Sequence, residues 1–303
     1  MPLDPEIAAL LPVLRSLPAL EKMSPADARA VVNEMGKHAP PGPASPAVTD
    51  AFASTIPIRI YRPVDRPRGV IVFYHAGGWV LGDLNSSDAF LRTFALQTGC
   101  TIVSCGYRKA PEHRFPAAVD DAFTTLQWTA QSLATLASKG APIFVAGESA
   151  GANLTAVVAL LARDQGGPKL AGQVLLCPVT DANFDTRSYA ENAEGYFLTR
   201  DLMKWFWNHY APDEQQRQDF RASPLQANNH SNLPPALIQT AEYDPLRDEG
   251  EAYAKRLADS GTAVDMQRRT GLIHGYTGML EASNAARAAI DAAAQWIRQR
   301  VSS

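Results

Sequence analysis

Apolar runs along this chain alternate with stretches of helical periodicity. The runs lie near residues 70–75, 101–105, 142–146, 173–177, 236–241 and 263–269, and they are mostly apolar or apolar at alternate positions. Both patterns are typical of strands that are buried on one or both faces. Because helical stretches separate most of the runs, we predict an α/β fold with a mainly parallel sheet and helices on both faces.

The N-terminal region follows a different pattern. Residues 1–37 contain two helix-like segments, and the second opens on Ser24-Pro25, which is typical of a helix start. Residues 39–47 are rich in proline and are predicted to form a linker. Isoleucines then alternate with polar or proline positions over residues 54–62, which predicts a half-buried strand.

A second interruption lies at residues 183–222, between two predicted strands. Its large apolar residues include Tyr196, Phe197, Leu198, Met203, Trp205, Phe206 and Trp207. Ordinary core packing accounts for most such side chains, and we expect the others to roof a pocket. We therefore divide the chain into an N-terminal helical cap segment, residues 1–50, and a sheet domain, residues 51–303, that carries a cap insertion at about 183–222.

A glycine-bounded motif follows one of the predicted strands. Gly147-Glu148-Ser149-Ala150-Gly151 comes directly after an apolar run and directly before a helix-like stretch. A serine at the tip of so tight a turn is held in a strained backbone conformation, so its neighbours two positions away must be small. This pattern matches the nucleophile elbow, which exposes the serine hydroxyl above a sheet. A plain glycine-rich turn is the alternative.

Consecutive glycines also follow the predicted strand near 70–75, in the segment HAGGW at 75–79. Such glycines let backbone amides approach a ligand with no side chain between them. The amides of Gly77 and Gly78, together with the amide of Ala150 after the serine, are predicted to bind an oxyanion. A turn without a ligand is the alternative.

An aspartate and a histidine each follow a later predicted strand. Alone, Asp244 could cap the following helix, and His274 could be an ordinary loop histidine. The chain order Ser149, Asp244, His274 is, however, the order of an α/β-hydrolase catalytic triad. Asp248 lies about one turn into the helix after Asp244, and we predict a structural role for it.

These segments resemble the hormone-sensitive-lipase-like esterases, the bacterial family IV carboxylesterases. The matching segments are HAGGW at 75–79, YRKAPEHRFPAAVDD at 107–121, GESAGA at 147–152, DPLRDEGEAYAKRL at 244–257 and HGY at 274–276. The resemblance implies the α/β-hydrolase fold with a helical cap. It also implies Ser149 as nucleophile, Asp244 as the acid, His274 as the base, and an oxyanion hole made by the three amides named above.

The chain departs from the family pattern at four positions near the predicted site. Ala76 replaces the first glycine of the usual His-Gly-Gly-Gly, and in the usual Gly-Asp-Ser-Ala-Gly-Gly Glu148 replaces the aspartate and Ala152 the last glycine. Lys109 stands where an apolar residue is common. None of these changes removes a catalytic group, but Ala76 bears on the shape of the oxyanion loop and Glu148 on the polar contacts behind the serine.

Two structural roles are predicted for polar residues around the oxyanion loop. Arg108 and Glu112 are predicted to form a buried ion pair behind it. His75 is predicted to hold the loop through a hydrogen bond rather than to carry protons.

Composition narrows the class of function. The chain has 303 residues, 46% of them hydrophobic, a net charge of −3 and no Lys/Arg cluster that would indicate nucleic-acid binding. The three cysteines, at positions 100, 105 and 177, are predicted to be buried free thiols of a reducing compartment. No spacing indicates a metal site, and no leader or membrane span is recognised, so we expect a cytoplasmic protein.

The sequence therefore predicts a serine carboxylesterase that needs no cofactor and acts on esters of about C2 to C8 acids, the range that the resemblance implies. Its expected partner is a small-molecule ester, with no nucleic acid and no membrane; a homodimer is one option for an assembly state that stays open. An amidase on the same machinery is one alternative. A non-catalytic small-molecule receptor is another, since plant gibberellin receptors resemble this family but lack a working histidine. The presence of His274 argues against a receptor.

Overall fold

A computed structural model describes residues 2–37 and 40–301. The strands of this part of the chain form one eight-stranded sheet. The strands are β1 (Ala47–Ala53), β2 (Ile56–Arg62), β3 (Val70–Tyr74), β4 (Thr101–Cys105), β5 (Ile143–Glu148), β6 (Gly172–Leu176), β7 (Ala236–Tyr243) and β8 (Val264–Ile273). Their spatial order is β1-β2-β4-β3-β5-β6-β7-β8. Only β1 and β2 pair antiparallel with their neighbours, so the predicted mainly parallel sheet is confirmed.

Helices cover both faces of the sheet. They are α1 (Pro5–Arg15), α2 (Pro25–Lys37), α3 (Asp88–Thr98), α4 (Ala117–Gln131), α5 (Leu133–Leu136), α6 (Ala150–Asp164), α7 (Arg187–Glu191), α8 (Arg200–Tyr210), α9 (Glu214–Gln218), α10 (Arg247–Asp259) and α11 (Asn284–Val301). Three short 3₁₀ helices complete them, at Leu20–Lys22, Pro224–Gln226 and Tyr276–Met279. Helices α4, α6 and α10 pack in one apolar cluster, and α3 and α11 pack in the cluster on the opposite face.

The N-terminal region holds one strand that the sequence pattern did not reveal. The two predicted helices are present as α1 and α2, but β1 begins at Ala47, inside the segment assigned to the linker and the helical cap. It is an edge strand in which only Ala53 is buried, so it lacks the apolar alternation that marks a half-buried strand. Residue 38 and residue 39, the first of the predicted linker, lie outside the described residues.

The strand ends place four polar residues at one edge of the sheet. His75, Ser149, Asp244 and His274 are the first residues after β3, β5, β7 and β8, respectively. Because these strands are parallel, their carboxyl ends meet at the same edge, where ligands of open α/β sheets bind. The topology alone therefore brings together residues that are up to 199 positions apart along the chain.

The long connection between β6 and β7 crosses this edge. It contains α7, α8 and α9, and α8 packs on the loop after β3: Trp79 stacks on Tyr210, with ring centroids 4.1 Å apart, and meets the edge of Trp207 at 4.9 Å. Trp207 and Tyr210, both buried, thus make the ordinary packing contacts that we predicted for most of this cluster. Among the described residues, no helix combines the length and apolar character needed to cross a membrane.

Candidate active site

Crowding of the backbone fixes the conformation of the turn between β5 and α6. Ser149 has φ 55° and ψ −118°, a region that non-glycine residues rarely occupy. A Cβ on Gly147 would lie 2.2 Å from the carbonyl oxygen of Gly151, and one on Gly151 would lie 1.9 Å from that of Tyr74. Both glycines are therefore required by contacts with main-chain atoms, which no change of side-chain rotamer can relieve.

The serine hydroxyl begins a chain of hydrogen bonds. Ser149 Oγ lies 3.1 Å from His274 Nε2, and His274 Nδ1 lies 2.7 Å from Asp244 Oδ2. All three side chains are buried, with Ser149 retaining 5% exposure. The other carboxylate oxygen, Oδ1, accepts the amide hydrogen of Leu246 at 2.9 Å. Asp244 therefore makes a local turn contact and also contacts the histidine, but it does not cap α10, whose N-cap residue is Leu246.

Nearby carboxylates set the protonation of the histidine. Burial by itself would lower the pKa of His274, but the charge and hydrogen bond of Asp244 and the charge of Glu148 outweigh it, and the pKa lies above the usual 6.5. Burial also raises the pKa of Glu148, against a hydrogen bond from Thr277 that lowers it. Within the described residues, Glu148 Oε1 is buried without a hydrogen-bond partner.

The loop after β3 turns its glycine backbone toward the serine. Gly77 and Gly78 have φ of 116° and 58°, and the amides of Val80 and Leu81 both donate to the carbonyl oxygen of Gly77, at 3.1 and 2.7 Å. Gly77, Gly78 and Ser149 line the same cavity. Ala76, the departure from the family pattern, keeps a negative φ, so its methyl group is compatible with the backbone of this loop.

Side chains from elsewhere in the chain hold this loop. His75 donates from Nδ1 to the Ala76 carbonyl at 2.7 Å and stacks on the ring of Tyr107, whose hydroxyl donates to the His75 carbonyl at 2.8 Å. Burial lowers the pKa of His75 to about 4, so it is a neutral structural group near neutral pH, as predicted. Lys109 Nζ donates to the carbonyl oxygen of Gly82, which gives this unusual lysine a structural role.

The predicted ion pair between Arg108 and Glu112 is wrong. Arg108 is largely exposed and pairs with Asp121, which accepts hydrogen bonds from its backbone amide and its guanidinium at 2.8–3.1 Å. Glu112 instead accepts two hydrogen bonds from Arg29 of α2, at 2.7 and 2.8 Å. Proximity in sequence favoured the wrong partners, because Arg29 lies 83 positions away from Glu112.

Asp248 is directed away from the histidine. Its Oδ2 accepts the amide hydrogen of Ser188 at 2.7 Å, and its Oδ1 accepts from Arg247 at 2.9 Å. These contacts tie α10 to α7. The predicted structural role of Asp248 therefore agrees with its contacts.

A cavity of about 270 Å³ opens beside the serine. Its apolar wall comes from the N-terminal segment and the β6–β7 connection: Leu20, Val32, Phe197, Leu198, Leu202 and Phe206. Leu20, Val32, Phe197 and Leu202 also border a neighbouring cavity of about 390 Å³ between α1, α2 and residues 193–202. The sequence pattern marked Phe197, Leu198 and Phe206 as candidates only within a larger group, and no local pattern marked Leu20 or Val32.

A thiol completes the group behind the histidine. Cys177 Sγ, a carboxylate oxygen of Asp244 and a ring nitrogen of His274 all lie within 4.8 Å of one another. Burial raises the pKa of Cys177 well above its usual value, whereas metal binding needs a thiolate. Asp244 and His274 are also hydrogen-bonded to each other. The arrangement is therefore better suited to proton transfer than to holding a metal.

Comparison with known proteins relates this geometry to a family. Residues 71–278 match a protein-family model described as alpha/beta hydrolase fold. The carboxylesterase NlhH of Mycobacterium tuberculosis is 42% identical over 226 residues, which cover 73% of this chain and 71% of that protein. An arylesterase of Saccharolobus solfataricus is 37% identical over 286 residues, covering 92% of this chain and 93% of its own.

A solved structure is similar over nearly the whole chain. It is that of a thermostable esterase from Pseudomonas putida ECU1011, with a TM-score of 0.94 and 38% identity. The similarity covers 99% of this chain and 98% of that one. The N-terminal helices and the β6–β7 connection are therefore included in the similarity, not only the sheet.

Proposed function

Because this chain belongs to the alpha/beta hydrolase family, within its hormone-sensitive-lipase-like carboxylesterases, and is a carboxylic ester hydrolase, we propose that it acts as a serine esterase on short- to medium-chain esters. The observation that carries the proposal is the continuous contact from Ser149 through His274 to Asp244 at the floor of an apolar cavity. Removal of any one of these three side chains should therefore lower turnover by several orders of magnitude and leave the cavity wall in place.

The reaction follows from these positions. Ser149 Oγ attacks the ester carbonyl while His274 Nε2 takes its proton, and Asp244 orients the imidazole and stabilises its charged form. The carbonyl oxygen becomes an oxyanion, which accepts hydrogen bonds from the amides of Gly77, Gly78 and Ala150. His274 then gives its proton to the leaving alcohol. Water, activated by the same histidine, attacks the acyl-enzyme and releases the acid.

The size of the cavity supports a limit on acyl length. Each methylene that is buried contributes about 0.8 kcal/mol to binding, and a cavity of about 270 Å³ holds a short chain. Leu20, Val32, Phe197 and Leu202 stand between it and the neighbouring cavity. We propose that residues 1–50 and 183–222, which supply these four residues, act as the cap that sets this limit.

Hydrolysis rates across p-nitrophenyl esters from acetate to palmitate test the substrate class. We expect kcat/KM to be highest within about C2 to C8 and to fall beyond it, because extra carbons find no further apolar surface. Ser149→Ala is the control for adventitious turnover. A rate that climbs through palmitate, or a sharp activation at an oil–water interface, would indicate a lipase instead.

The same preparation separates the alternatives. An anilide matched to the best ester should turn over far more slowly, since the amine is the poorer leaving group; comparable rates would favour an amidase. A receptor would bind esters without hydrolysing them.

The three described cysteines are free and buried, which is typical of reducing compartments, and we therefore propose a cytoplasmic location.

A further inference from the structure

Arg29 of α2 makes four hydrogen bonds outside its own helix, one of them to the oxyanion loop. Its Nε donates to the carbonyl oxygen of Val80 at 2.8 Å, and its Nη2 donates to that of Ala110 at 2.7 Å. The carboxylate of Glu112 accepts two further bonds from Nη1 and Nη2, at 2.8 and 2.7 Å. A single guanidinium thus joins a cap helix, the oxyanion loop and the loop that follows β4.

A chain of two peptide groups leads from this guanidinium to an oxyanion-hole amide. The carbonyl of Val80, which accepts from Arg29, belongs to the same peptide group as the amide of Leu81. That amide donates to the carbonyl oxygen of Gly77 at 2.7 Å. The Gly77 carbonyl in turn shares its peptide group with the amide of Gly78. The order of groups is therefore guanidinium, peptide, peptide, and then the Gly78 N–H.

Hydrogen bonds arranged in such a chain polarise one another, by about 10–30% per bond. A positive charge at the first acceptor strengthens the effect, because bonds from an ionised donor are about twice as strong as neutral ones. This polarisation makes the N–H of Gly78 more acidic and therefore a stronger hydrogen-bond donor. The stronger donor favours the transition state over the bound ester, because negative charge develops on the carbonyl oxygen only in the transition state. The Glu112 carboxylate holds the guanidinium in place, and its hydrogen bond with Arg29 lowers the Glu112 pKa to about 2.

We propose that Arg29 is a positioning residue for the oxyanion hole, fixing the turn from Gly77 to Leu81 and polarising the Gly78 amide through two peptide groups. The inference rests on the proposed esterase function. It adds a residue from α2, outside every motif that carries the family resemblance. It also means that the helix that lines the substrate cavity through Val32 holds the oxyanion loop through Arg29.

The test compares Arg29→Ala with Arg15→Ala. Both arginines lie in N-terminal helices and both donate to a distant carbonyl, but Arg15 contacts Gly195, not the oxyanion loop. Alanine is the best helix former, so α1 and α2 should persist. We expect Arg29→Ala to lower kcat about tenfold, less than the 10²–10³ lost with a direct oxyanion donor, with KM changed by less than about twofold. Arg15→Ala should keep kcat.

Inhibition by a trifluoromethyl ketone separates polarisation of the hole from simple destabilisation. The ketone forms an oxyanion on the serine, so its Ki should rise in Arg29→Ala by the same factor as kcat falls. Millimolar methylguanidine should recover part of the lost kcat by filling the vacated site, and it should leave Arg15→Ala unchanged. Arg29→Lys keeps a cation but only one anchoring nitrogen, so its kcat and Ki should lie between those of the wild type and of Arg29→Ala. It replaces the alanine variant if that variant does not fold.

Each outcome decides one claim. Unchanged kcat and Ki in a folded Arg29 variant would overturn the inference and leave the esterase function intact, as would a fall in thermal stability alone. If the wild-type protein neither hydrolyses esters nor binds the ketone, the proposed function fails and the inference fails with it. A parallel loss of kcat and ketone affinity, with recovery by methylguanidine, would support the role of Arg29.

Discussion

The triad and the oxyanion loop are two halves of one site, and different forces hold them. Ser149, Asp244 and His274 directly follow β5, β7 and β8, so the register of the sheet places them. The loop at residues 75–82 also follows a strand, but its shape depends on side chains from distant segments. In the proposed mechanism, strand ends thus place the groups that move protons, and side-chain contacts hold the loop whose amides would stabilise charge.

The difference predicts different responses to mutation. The serine turn is confined by main-chain atoms, since a Cβ added at Gly151 would lie 1.9 Å from the Tyr74 carbonyl oxygen, and it has little freedom to adjust. The oxyanion loop meets the ring of Phe206 and is held by Arg29 and Lys109. A substitution in this loop should therefore be tolerated when a second substitution removes the side chain that it meets. Residues of the cap can also change the position of this loop, because Phe206 and Arg29 contact it.

Within the triad half, the largest difference in kcat is expected between variants of two neighbouring carboxylates, Asp244 and Asp248. Asp244→Asn should lower kcat by about 10⁴, because the amide stabilises the wrong tautomer of His274 and no longer balances its charge. Asp248→Asn is the matched control. It should keep kcat within about threefold and cost about 1 kcal/mol of stability through its contact with Ser188. Steady-state kinetics and thermal melts measure both, and the opposite ranking of kcat would refute our choice of acid.

Glycine replacements compare the two halves directly. Gly78→Ala would bring a methyl group 2.1 Å from the ring of Phe206, and we expect kcat to fall about 10²-fold as the loop shifts. Phe206→Ala in the same chain should recover the part of that loss that comes from the ring, while the strain of an alanine at φ 58° remains. Gly151→Ala meets main-chain oxygen instead and should lose more than about 3 kcal/mol of stability.

Gly36 provides the control for these replacements. It lies in α2 with nothing within 4 Å of an added Cβ, so Gly36→Ala should be neutral or stabilise the helix by up to about 1 kcal/mol. Unfolding free energies and kcat of the single and double variants complete the comparison. If trimming Phe206 gives no recovery in Gly78→Ala, the oxyanion loop is as rigid as the serine turn and the contrast fails.

A smaller effect should appear in the pH dependence of the triad half. His274 must be neutral to accept the serine proton, and its pKa is raised above 6.5 because Asp244 and Glu148 outweigh burial. Activity should therefore be lost as pH falls through a value above 6.5. Glu148→Gln removes one of the raising charges and should move the acid limb of kcat/KM to lower pH. An unchanged limb, or one displaced to higher pH, would contradict this assignment.

Sequence patterns predicted the triad half and left much of the other half open. Alternating strands and helices, and a polar residue directly after each of three strands, are local features. The support of the oxyanion loop depends on pairs such as Arg29 with Glu112 and Lys109 with the Gly82 carbonyl. Nothing in a local pattern distinguishes Arg29 from other helix arginines. The same limit explains the wrong partner for Arg108 and the missed edge strand β1.

Covalent labelling tests the central claim, that Ser149 is the nucleophile of an esterase, most directly. The protein is treated with a fluorophosphonate, digested and analysed by mass spectrometry, alongside Ser149→Ala. We predict one adduct, on the peptide that contains Ser149, formed in step with the loss of ester hydrolysis. Ser149→Ala should remain folded, form no adduct and have kcat reduced about 10⁶-fold. An adduct on another residue, or near-native hydrolysis by purified Ser149→Ala, would contradict the claim.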